Sequence, residues 1–142
     1  MTYGYARSAS ALYQQNKVQG SVEDADPHRL IGLLLDGAIE RINQAIGFMT
    51  FGNVPAKGNA ISRSVAIVAE LRNSLDHKAD PALSQRLESL YDYVTRRLLY
   101  AQLNDDRAAL VECVGLLTPV RDGWQGIRQQ YLASAQKPAG VA

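Results

Sequence analysis

The sequence holds little of what most catalytic or metal-binding proteins use. Its 142 residues include one cysteine, Cys113, and two histidines, His28 and His77. A single cysteine excludes an internal disulfide. Its place inside an apolar helical repeat predicts a small core residue in a reducing compartment. No glutamate stands three residues before either histidine, so the Glu-x-x-His pairs that hold two irons inside a helical bundle are missing. Both histidines are expected at helix boundaries as exposed end residues. No Gly-rich loop leads into a lysine and a hydroxyl residue at phosphate-cradling spacing. No basic start followed by an apolar run marks a cleaved leader, and no apolar stretch reaches membrane-spanning length. The net charge of +1 gives no general pull towards nucleic acid or anionic lipid. These absences point to a cytoplasmic protein that is not an enzyme, carries no cofactor or metal, and does not insert into membranes.

What is present is apolar residues at helical spacing. Hydrophobic residues make up 46% of the chain and charged residues 20%, enough to build a core and too little charge for disorder. The organising stretch is DPHRLIGLLLDGAIERINQAIGFM, from Asp26 to Met49. Asp26 suits the cap of a helix and Pro27 its first turn, where no amide hydrogen is needed. Ile31, Leu34, Leu35, Ala38, Ile39, Ile42, Ala45, Ile46 and Met49 then recur at three-and-four spacing. Gly32 and Gly37 lie inside this helix at a cost of about 1 kcal/mol each relative to alanine, which predicts close approach by a neighbouring helix.

The rest of the chain repeats the pattern. Helices are expected at about 27–50, 56–75, 81–103 and 105–132, with Gly52, Asn53 and Pro55 closing the first. Ile61, Val65, Val68, Leu71 and Leu75 form one face of the second, with Ile67 off that stripe. Leu83, Leu87, Leu90, Tyr91, Val94, Leu98 and Ala101 form the buried side of the third, and Asp80-Pro81 repeats the opening of Asp26-Pro27. In the fourth, Pro119 is expected to produce a kink, eased by the glycine at 115 whose carbonyl its ring crowds. No strand-like alternation appears. The expected fold is all-α: an antiparallel up-down four-helix bundle over 26–132, preceded by a flexible N-terminal arm (1–25) carrying a short helix and followed by a loose tail (133–142).

Two surfaces invite a functional reading. Arg96 and Arg97 with Tyr93 and Tyr100 resemble a basic aromatic patch, but the near-zero net charge favours a solvated helix face. Excess apolar surface is the second. Helix one offers adjoining stripes, and helix four adds Leu116 and Val120 beside its main one. Wide stripes also serve ordinary cores; the alternative is a groove for a partner's amphipathic helix. On these grounds alone the chain could be a regulatory adaptor that binds such a helix.

Several ordered blocks go further. Tyr13, DPHRLIGLLLDGAI at 26–39, VPAKGNAISRSVAIV at 54–68, SLD at 74–76, LESLYDYVTRRLLYAQLNDD at 87–106 and VGLLTPVRDGW at 114–124 resemble the flagellin-specific export chaperones, the FliS family. The resemblance implies a bundle that binds the disordered C-terminal segment of flagellin in the cytoplasm, prevents premature polymerisation and helps deliver it to a component of the flagellar type III export gate. It implies that Tyr13 occupies part of the client groove when flagellin is absent. Family members often carry an apolar residue one turn before this tyrosine, where this chain has Ser10. The client contacts expected are Tyr13, Ile39, Ile46, Ile61, Val65, Tyr91, Val94 and Leu98. No nucleic acid is implied, and the oligomeric state without client is left open.

Overall fold

The computed structural model describes residues 26–135. They form α1 (Pro27–Thr50), α2 (Val54–Asn73), α3 (Pro81–Asn104), α4 (Arg107–Gly126) and α5 (Arg128–Ala135), with no strand among the described residues. The expected arm and its short helix, Tyr13, and residues 136–142 lie outside the described residues.

Four of the helices begin the same way. The carboxylates of Asp26, Asp80 and Asp106 and the amide oxygen of Asn53 each accept a hydrogen bond from the backbone amide three residues on, at 2.8–3.2 Å. Pro27, Pro55 and Pro81 sit in the first turns of α1, α2 and α3. Each cap satisfies a donor that the helix itself leaves free, typically worth about 1 kcal/mol. Pro55 therefore belongs to the start of α2, two residues earlier than a breaker would place it.

Short connections force neighbouring helices to run antiparallel, and the cross-contacts agree. Arg72 near the end of α2 pairs with Glu88 and Asp92 early in α3. Arg97 late in α3 meets Glu112 early in α4, and Arg121 late in α4 meets Asp36 early in α1. Each helix thus packs on the next, and α4 closes the ring against α1. Leu35 and Ile42 of α1, Ile67 and Val68 of α2, Val94 and Leu98 of α3, and Leu110 and Leu117 of α4 are sealed inside it. Burying each such side chain stabilises the fold by about 1.5–3 kcal/mol. Ile67 joins this core because the buried sector of α2 is wider than a single stripe.

The fourth helix differs from its expected range. It runs unbroken through Pro119 and stops at Gly126; Ile127 forms a one-residue turn before α5. Both Pro119 and Gly115 face solvent, so water can serve the carbonyl that the proline leaves without an amide partner. The second helix likewise ends at Asn73 rather than Leu75, where the Ser74 hydroxyl donates to the Leu71 carbonyl at 2.7 Å.

Lys57 closes the far end of the ring. Its side chain is 6% exposed, and its ammonium lies 2.5 Å from the Asp105 carboxylate and 3.5 Å from the Gln102 carbonyl. Asp105 ends α3 in the left-handed conformation, φ 51°, which non-glycine residues rarely adopt. The buried lysine holds that turn and one of the unmatched carbonyls of the helix end.

Candidate functional site

The sequence-derived positions separate into two groups. Ile39, Ile61, Tyr91, Val94 and Leu98 are buried, none more than 7% exposed. Burial also pushes the Tyr91 phenol up to about 12, so it stays protonated. These five build the core, and direct contact by them would require the helices to part. Ile46 and Val65 are half-exposed against the core's edge.

Open apolar surface concentrates instead along α3. At its start Leu83 is 48% exposed, and Leu87 and Leu90 are half-buried. Leu83 was expected on the buried side; it sits in the first turn, more than a turn before the level at which Arg72, near the end of α2, meets Glu88. On α4 Leu116 and Val120 are half-buried, and Ile127, in the turn that follows the helix, is 44% exposed. The register is set by the Cys113 thiol, 3.8 Å from the Val94 carbonyl, and by the Arg97–Glu112 pair at 2.7 Å. Counting back along two antiparallel helices brings Leu90 level with Leu116 and Leu87 level with Val120. A shallow apolar trough therefore runs between the first half of α3 and the second half of α4. Its one sequence signal is Leu116 and Val120 lying beside the main stripe of α4.

The upper edge of the trough is fixed by polar contacts. The Tyr93 hydroxyl and the Arg97 guanidinium both donate to the Glu112 carboxylate at 2.7 Å. Those two bonds hold the Glu112 carboxyl below its ordinary range, the tyrosine being the larger cause. Arg97 also lies over the Tyr100 ring, 4.8 Å from its centre.

Where α1 starts against the end of α4, the two ends of the described chain are tied together. His28 is only 4% exposed, contrary to its expected place as an exposed end residue, because Trp124 and Tyr131 stack on its ring at 4.6 and 5.1 Å. One ring nitrogen of His28 is 2.8 Å from the Trp124 carbonyl, and the indole N–H donates to the His28 carbonyl at 2.7 Å. Since a carbonyl only accepts, that histidine Nε2 carries a proton. Arg128 donates to both oxygens of Asp26, and this pairing, with the Arg29 amide next in weight, holds the Asp26 carboxyl low. Beside this clasp lies a cleft of about 230 Å³ lined by residues that include Arg29, Gly32, Leu33, Asp36 and Gln125. Gly32 admits the Trp124 indole; a Cβ there would stand 3.7 Å from Cδ1, which is ordinary contact rather than close helix approach. His77, by contrast, is exposed and faces Glu88 at 3.1 Å.

Among the described residues no group of His, Cys, Asp and Glu is placed to hold a metal ion, and no helix is long and apolar enough to cross a membrane. Burial pushes the Cys113 thiol up to about 12, so it is not poised as a nucleophile. Apolar grooves on helical proteins are one of the recurring surfaces that accept an amphipathic helix.

The profile of the family described as "Flagellar protein FliS" matches residues 9–131. The chain belongs to the FliS family. It is 41% identical over 123 residues to the flagellar secretion chaperone FliSB of Pseudomonas aeruginosa, covering 87% of this chain and 98% of that protein. It is 38% identical over 124 residues to the flagellar secretion chaperone FliS of Salmonella typhimurium, covering 87% and 92%. With the Bacillus subtilis FliS chaperone it shares 29% over 130 residues, covering 92% and 93%. FliS proteins are thus chaperones of flagellar secretion, and the match runs through every helix that forms the trough.

Proposed function

We propose that this chain binds the disordered C-terminal segment of flagellin, keeps it from polymerising prematurely, and assists its delivery to the flagellar type III export gate. Family membership supports the class of client, and the open trough between α3 and α4 is the observation that carries the mode of binding. The segment would fold there as an amphipathic helix, its apolar face over Leu83, Leu90, Leu116, Val120 and Ile127. Ordering a disordered segment costs roughly 2–5 kcal/mol, so an extended trough suits this task better than a compact pocket. Of the contacts expected from the sequence, Ile46 and Val65 belong to α1 and α2, outside this trough, and Ile39, Ile61, Tyr91, Val94 and Leu98 belong to the core. Tyr13 is assigned to the arm that competes for this surface.

Calorimetry with the flagellin C-terminal segment tests the reading. Equal stoichiometry and a gain of helix in circular dichroism are expected, with Leu90→Glu and Val120→Glu each weakening binding at least about tenfold. No heat and no binding at micromolar concentration would contradict it. Tyr13→Ala should alter client affinity without unfolding the bundle; unchanged affinity would remove the arm's assigned role.

A further inference from the structure

α3 carries two seams rather than one. The inner seam, Tyr91, Val94, Leu98 and Ala101, is buried. Two residues on, about 200° around the helix, Tyr93, Arg96, Tyr100 and Leu103 repeat the same three-four-three spacing. This outer seam faces solvent: Tyr93 is 36% exposed, Tyr100 45% and Leu103 85%, with Leu99 beside it at 48%. A helix that needed only a solvated back would carry polar residues there. Exposed large apolar side chains in a row mark an interaction surface instead.

Of the three charged residues between Tyr91 and Leu103, two are paired. Asp92 is held by Arg72, and Arg97 by Glu112. Arg96 makes no ion pair among the described residues; its guanidinium lies 5.8 Å from the centre of the Tyr93 ring. Tyr93 in turn is fixed through its hydroxyl to Glu112, and Tyr100 lies under Arg97. The seam is therefore preorganised: two ordered tyrosines bracket one unspent cation, with apolar contact at the C-terminal end. Tyr and Arg fixed in this way are the residue types that dominate binding energy at protein interfaces.

We propose that the outer seam of α3 docks an amphipathic helix of a second protein, one that places a carboxylate over Arg96 and an apolar stripe over Tyr93, Tyr100 and Leu103. This site lies on the opposite side of α3 from the buried seam and does not rest on the flagellin reading. A partner could engage it while the trough beside α4 is filled.

Two synthetic helical peptides test it on the full chain. Both carry leucines at three-and-four spacing, one flanked by glutamates and the other by lysines. By fluorescence anisotropy the glutamate peptide should bind roughly three- to tenfold more tightly than the lysine peptide, a margin that shrinks with added salt. Arg96→Glu should invert the preference, and Leu103→Ser should weaken both peptides. Ile127→Glu, at the far end of the trough, should leave peptide binding unchanged. Equal binding of the two peptides, an unaltered preference in Arg96→Glu, or displacement of the glutamate peptide by the flagellin C-terminal segment would overturn the proposal.

Discussion

α1 and α3 have the same length, 24 residues, and similar apolar content, yet they use it differently. α1 turns Leu34, Leu35, Ala38, Ile39, Ile42 and Ala45 into one buried face gripped by α2 and α4. α3 buries only Tyr91, Val94, Leu98 and Ala101 among its large or apolar residues and leaves Leu83, Leu99, Tyr100 and Leu103 largely exposed. Its apolar residues exceed what its neighbours can cover. The lesson is that a wide apolar helix in a small bundle has two possible destinations, and only the neighbours decide between them.

The contrast is sharpest within α3 itself. Leu98→Ala removes a fully buried side chain and should destabilise the bundle by about 2–5 kcal/mol in urea unfolding. Leu83→Ala, at the exposed end of the trough, should cost less than about 1 kcal/mol while still weakening client binding. Similar losses of stability at both positions would erase the distinction between core and trough.

A middle-sized effect is expected at Lys57. Lys57→Ala removes the tie between α2 and the end of α3 and should cost about 1–3 kcal/mol. The exposed Asp105 remains solvated, which keeps the loss below that of breaking a fully buried pair. Hydrogen exchange should quicken first at the α3–α4 turn; loss spread evenly over the bundle would contradict this placement.

Acid should act at two places. The carboxyls of Asp26 and Glu112 are held below their ordinary values of 3.8 and 4.5. A carboxyl lowered by folding contributes stability above its ordinary value and loses it as pH falls through the lowered one. The clasp at Asp26–Arg128 and the Tyr93–Arg97–Glu112 group should therefore loosen only below about pH 4, seen as a change in Trp124 fluorescence for the first. Screening at these exposed sites keeps the effect small. Loosening near neutral pH would contradict the assignment.

The smallest effect is expected at Gly32, where alanine meets the indole at ordinary contact distance. Gly32→Ala should be neutral or stabilise by up to about 1 kcal/mol in thermal unfolding.

Much of this architecture was legible from local chemistry. Asp26-Pro27 and Asp80-Pro81 announced helix starts because capping is decided within three residues. The three-and-four spacing of α1 announced its buried face. The fate of α3 was not legible, because periodicity reports that Leu83 and Leu98 share a helix side and says nothing of where the neighbouring helix ends. His28 was misread for the same reason. Its partners, Trp124, Arg128 and Tyr131, lie about a hundred positions away in sequence. Sites built by such distant meetings leave no trace in local spacing.

The central claim is that apolar surface left open beside α3, rather than the sealed core, holds the client. Hydrogen exchange with and without the flagellin C-terminal segment tests it most directly. The account predicts new protection along Leu83–Leu90 of α3 and from Leu116 of α4 through the turn at Ile127, with the middle of α1 unchanged. Protection confined to α1 and α2, with the α3–α4 trough exchanging as in the free protein, would contradict it.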